Sequence, residues 1–118
     1  MSGGRVTKRP RAPALALALL PAPAAAEPME LDPANLLRLA VIMLDSQRPA
    51  EALAMAEALV QRDPGDAGAL AVKSRAERDL GRTDQAVATA RLAWKAAEDP
   101  GQKYDAAMVM AQGLASGG

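Results

Sequence analysis

Apolar residues in this chain gather into five runs of helical length, separated by breaks rich in Pro, Gly, Asp or Ser. In the first run, residues 36–44 (LLRLAVIML), Leu36, Leu39, Ala40 and Met43 follow the spacing of a buried helix stripe. Leu37, Val41 and Leu44 fall largely off that stripe, so this helix is apolar nearly all round and needs cover on more than one side. A second helix begins at Pro49 and carries Ala52, Leu53, Ala56, Leu59 and Val60 on one face. The third, about residues 67–80, offers Leu70, Val72, Ala76 and Leu80 among many charges, and is the weakest of the set. The fourth presents Ala86, Val87, Ala90, Ala93, Trp94 and Ala97, and the fifth, residues 102–114, presents Tyr104, Ala107, Met108, Ala111 and Leu114 as its inward face. The pattern predicts an all-α fold of antiparallel helices.

The breaks contain the chemistry that starts and stops helices. Asp32 is placed as an N-cap with Pro33 preset for the first turn, and residues 46–48 form a tight connection before Pro49. Asp63-Pro64-Gly65-Asp66 ends one helix and caps the next, since Pro cannot continue a helix and both aspartates can accept from exposed backbone amides. Gly81 suits a left-handed helix terminator. Thr83 is expected to cap the fourth helix, with Asp84 at its positive end, and Asp99-Pro100-Gly101 forms the last break.

Two of these units repeat. Leu36, Asp45, Arg48, Ala52, Ala54 and Ala56 recur as Leu70, Asp79, Arg82, Ala86, Ala88 and Ala90, thirty-four residues on. A fixed period of that size marks a unit that buries its apolar face only by stacking on its own copies. The expected organisation is a first repeat over residues 33–66, a second over 67–101, and the first helix of an incomplete third over 102–118. Gly81 and Gly118 are thirty-seven residues apart, as expected if the second connection is slightly longer.

Composition narrows the function. Half of the 118 residues are apolar, but many are alanine and only Trp94 and Tyr104 are aromatic, which favours close helix crossings over a thick core. Without Cys or His there is no thiolate nucleophile, imidazole base or ordinary zinc ligand set, and no metal or cofactor is expected. Asp45, Glu51, Glu57, Asp63 and Asp66 sit at helix ends or on polar faces, where capping and solvation account for them. Lys73 and Ser74, being adjacent on a helix, diverge by about 100° and make a poor nucleophile pair. No catalytic constellation remains.

Arg5, Lys8, Arg9 and Arg11 all precede the first acid, Glu27, while residues 12–20 are uncharged and Ala24-Ala25-Ala26 supplies small residues for a peptidase. Residues 1–26 therefore read as a cleaved signal peptide of the general secretory type, with residues 27–32 as linker and a periplasmic destination; a disordered Ala/Pro-rich leader is the alternative. Their apolar run of about nine residues is too short for a bilayer span, which needs roughly 20. Four of the 14 basic residues lie in that leader, leaving ten against 14 acidic residues and a net charge of −4 beyond it. An acidic chain of this kind is a poor binder of nucleic-acid phosphates.

Leu36, Ala40, Ala52, Ala56, Leu59 and Pro64 in the first unit, with Leu70, Ser74, Gly81, Ala86, Ala90 and Ala93 in the second, resemble the tetratricopeptide repeat family. No Trp opens either first helix, Met43 and Glu77 stand where the family commonly has tyrosine, and Glu98 replaces the closing proline, which follows as Pro100. The resemblance implies a right-handed solenoid of helical hairpins that binds protein or peptide partners in a concave groove lined by the first helices. On this register the groove wall comprises Leu37, Val41, Leu44, Ala71, Arg75 and Arg78. An apolar half beside a cationic half suits an extended partner segment with hydrophobic anchors and a carboxylate.

Each assignment has a plainer counterpart. Leu37, Val41 and Leu44 are equally served by burial under Met29 and Leu31, or in a homodimer formed through the first helix. Lys73, Arg75, Arg78 and Arg82 can form a solvated stripe paired with Glu77 and Asp79. Trp94 and Tyr104 are expected to anchor the second hairpin to the fifth helix, and the six methionines to fill core, with Met108 or Met110 able to meet a partner. The leader together with Ala-rich hairpins is also similar to the leading helical region of surface lipoprotein assembly modifiers, which implies an accessory role in assembly or export.

Overall fold

The computed structural model describes residues 32–117; the expected signal peptide and nearly all of the linker lie outside the described residues. Among the described residues are five helices: α1 Pro33–Asp45, α2 Pro49–Arg62, α3 Ala67–Asp79, α4 Thr83–Ala96 and α5 Pro100–Gly117. Each packs on the next in sequence, and α3 also touches both α1 and α5. The first helices of the hairpins therefore lie side by side, with α2 and α4 behind them.

Local chemistry sets most of the boundaries. The Asp32 carboxylate accepts from the Asn35 amide at 2.8 Å, the Asp63 carboxylate from Gly65 at 3.0 Å, and the Asp66 carboxylate from Ala69 at 3.0 Å. Gly81 has φ +81° and closes α3 as expected. Thr83, by contrast, is not a cap: it is already helical, and Arg82 holds the N-cap position without a side-chain bond. The cause is the brevity of the turn, in which the Arg82 amide still donates to Glu77 at the end of α3 while its carbonyl accepts from Ala86 in α4. Asp84 does lie in the first turn of α4. Helix α5 starts at Pro100, two residues earlier than the pattern predicts, because Asp99 accepts from the Gln102 amide at 2.8 Å while Gln102 reaches back to the Glu98 amide at 2.7 Å.

Alanine lines the crossings. Ala40, Ala52, Ala56, Ala69, Ala76, Ala86, Ala90, Ala93 and Ala106 are fully buried, which lets the backbones approach closely. Leucines pack against these alanines in two clusters, Leu44 and Leu53 with Ala52 and Ala76, and Leu70 with Ala93 and Ala106. Each fully buried leucine contributes about 1.5–3 kcal/mol. Ser74 is buried as well, and its hydroxyl donates to the Ala86 carbonyl at 2.6 Å, tying α3 to α4.

The fifth helix faces inward through other residues than the sequence pattern predicts. Ala106 and Gly113 are its buried positions, whereas Tyr104, Ala107, Met108, Ala111 and Leu114 are exposed. A Cβ on Gly113 would lie 3.0 Å from Val87 Cγ2, so glycine at this position permits the close approach of α5 to α4. Tyr104 and Trp94 are accordingly not packing anchors; they are 64% and 43% exposed, and Lys103 Nζ lies 4.2 Å from the centre of the Trp94 ring.

Candidate partner-binding groove

Helices α1, α3 and α5 form the wall of a groove of about 490 Å3. All six residues expected there line it: Leu37, Val41 and Leu44 from α1, and Ala71, Arg75 and Arg78 from α3. Leu44 contributes to the floor more than to the wall, since it is 2% exposed and packs with Ala52, Leu53 and Ala76. A Cβ on Gly68 would lie 3.0 Å from Leu37 Cδ2, so this glycine allows Leu37 to settle against the α3 backbone.

The sequence pattern missed the contribution of α5. Asp105, Met108, Val109 and Gln112 line the groove together with Gly68 and Val72 of α3. Their placement is regular: Asp105, Met108, Val109 and Gln112 lie thirty-seven residues beyond Gly68, Ala71, Val72 and Arg75, all on the groove. The signal was present in the spacing of Gly81 and Gly118, which carries Ala71 onto Met108 and Arg75 onto Gln112. An apolar reading of α5 obscured it.

The cations of the groove have carboxylate neighbours. Arg75 Nη2 lies 3.1 Å from Asp45 Oδ1 across α3 and α1, and Arg78 Nη2 lies 3.0 Å from Asp79 Oδ1. Lys73 Nζ stands 4.0 Å from the carboxylate of Glu77, one turn along α3. Lys73 and Arg78 thus meet Glu77 and Asp79, but Glu77 is buried and the stripe is not a fully solvated one, while the Asp45 partner of Arg75 comes from α1. With side chains 37% and 64% exposed, the Arg75 and Asp45 pair is worth at most about 1 kcal/mol, and a competing carboxylate can displace it.

Among solved structures, the chain matches the crystal structure of a tetratricopeptide repeat domain protein from Salinibacter ruber with a TM-score of 0.62. The match covers 70% of this chain and 97% of that one, at 24% sequence identity. The fold is that of a tetratricopeptide repeat domain. No family model matches the sequence, and a search of curated proteins finds no match. In tetratricopeptide repeat terms, α1 and α2 form one hairpin, α3 and α4 the next, and α5 takes the place of a following first helix. Among the described residues no helix is long and apolar enough to cross a membrane.

Proposed function

We propose that this protein is an interaction module that holds a segment of a partner protein in the groove of α1, α3 and α5 and performs no chemistry on it. The observation that carries the reading is the register of that groove, in which equivalent positions of successive hairpins line one continuous trough. Leu37, Val41, Val72, Met108 and Val109 supply anchoring pockets for apolar side chains. Arg75 and Arg78 bind a carboxylate of the partner, which takes over contacts now made by Asp45 and Asp79.

The site of action follows from the leader. Residues 1–26 direct the chain to the bacterial cell envelope, where it serves as an adaptor; an accessory role in lipoprotein assembly or export would use the same groove.

Selection of the full chain against a random peptide library, followed by fluorescence anisotropy on the selected peptides, tests the groove. Selected peptides should combine apolar residues with an acid, and Arg75→Ala with Arg78→Ala should weaken them about tenfold or more at unchanged helicity. Equal binding by the double variant would remove the groove assignment. Expression in a bacterium with N-terminal sequencing of the periplasmic fraction tests the location, a new terminus at Glu27 being the expected result.

A further inference from the structure

Helix α5 exposes a face that α3 buries. The thirty-seven-residue register that aligns α3 with α5 along the groove also sets Ala107, Ala111 and Leu114 in the places of Leu70, Ser74 and Glu77. In α3 those three are 3%, 1% and 5% exposed, with Ser74 bonded to Ala86 of α4 and Leu70 packed with Ala93. In α5 all three are exposed, Leu114 at 54%, and with Trp94 and Met110 they line an apolar concavity of about 430 Å3. By position, this face receives a helix.

Its sequence has the character of the helix it would receive. Residues 107–115, AMVMAQGLA, follow residues 52–60 of α2, ALAMAEALV, with identity at Ala107 and Ala52, Met110 and Met55, Ala111 and Ala56, and Leu114 and Leu59. Ala52, Ala56 and Leu59 are 0%, 0% and 1% exposed in α2, the second helix of its hairpin. One stripe of α5 thus combines the position of a receiving helix with the sequence of an inserted one, which makes it complementary to itself. No charge lies on the stripe, and its two alanines permit close approach.

We propose that the outward face of α5 docks on the same face of a second copy of the chain, the two helices crossing antiparallel near Ala111 about a two-fold axis. Each α5 then occupies the place that α2 and α4 hold over α1 and α3. An isologous contact of this kind closes at two copies and leaves both grooves open. Helix α5 is 18 residues, about 27 Å, long, so the contact falls short of the roughly 800 Å2 per partner of a standard interface. A contact this small belongs to the weak, reversible class, so the dimer forms only as concentration rises.

Sedimentation of the full chain over a concentration series from about 1 to about 200 μM, with Trp94 emission read on the same samples, tests the proposal. The expected result is a monomer–dimer equilibrium in which the emission of the single Trp shifts to the blue as dimer forms. Ala111→Glu and Leu114→Lys, both at exposed positions, should raise the dissociation constant at least about tenfold without altering helicity. A chain that stays monomeric with constant emission across the series would overturn the proposal. So would a dimer that both variants leave intact, which would point to another face such as that of α1. Peptide binding in the groove does not enter either outcome, so the two readings fail separately.

Discussion

Gln47 and Gly81 stand thirty-four residues apart and share one left-handed backbone conformation, with φ of +64° and +81°. Each closes a first helix with the same pair of bonds. The Gln47 amide donates to Leu44 at 3.1 Å and the Arg48 amide to Met43 at 2.8 Å; the Gly81 amide donates to Arg78 at 2.9 Å and the Arg82 amide to Glu77 at 2.8 Å. The geometry is dictated by the hairpin turn, and only the second repeat has the residue best suited to it.

Gln47→Gly should therefore stabilise the fold. A residue with a Cβ loses about 1–2 kcal/mol in this conformation, part of which glycine returns through its freer unfolded chain. The expected net gain is about 0.5–1 kcal/mol, read from the midpoint of urea unfolding of the full chain. A loss would mean that the Gln47 side chain makes a contact that matters more than its backbone strain.

Glu77→Met should also stabilise. Glu77 is 5% exposed, its Oε1 has no hydrogen-bond partner among the described residues, and Lys73 at 4.0 Å is its ion-pair neighbour. The equivalent position in the first repeat is Met43, which packs against the core beside Leu44. Removing an unsatisfied buried carboxylate in favour of an apolar side chain of similar size is worth about 1–3 kcal/mol. Lowered stability in urea unfolding would show that the carboxylate has a partner in solution.

Ala86→Leu should cost about 1–3 kcal/mol through overpacking. Ala86 is fully buried, its carbonyl accepts from Ser74 at 2.6 Å, and a Cβ on Gly113 would lie 3.9 Å from its own. Three helices converge there. A neutral midpoint in thermal unfolding would show that the crossing of α3, α4 and α5 has room the packing does not indicate.

Asp45→Asn should leave stability within about 1 kcal/mol, because the Arg75 pair is largely exposed. It should tighten the binding of acidic peptides selected on the groove, since their carboxylate no longer competes with Asp45 for Arg75. Anisotropy titrations of the two proteins against one peptide decide this. Weaker binding by Asp45→Asn would mean that Asp45 orients Arg75 for the ligand.

The period, the helices and most of their ends were legible in the sequence because the forces that set them act over a few residues. Asp32, Asp63 and Asp66 reach amides two or three positions away, and the recurrence of Ala52 and Ala56 as Ala86 and Ala90 reports the same helix crossing twice. The tetratricopeptide repeat resemblance places Leu37, Val41, Leu44, Ala71, Arg75 and Arg78 on one wall, and all six line the groove of α1, α3 and α5. The tertiary structure alone decided the partners of the charges and the orientation of α5. Asp45 meets Arg75 only because α1 lies beside α3, thirty residues away in sequence. Helix α5 is apolar on two faces, and its larger side chains mark the wrong one as inward. Burial goes instead to Ala106 and Gly113, because the close approach of α4 through Val87 leaves room for small residues and turns Tyr104 and Leu114 outward.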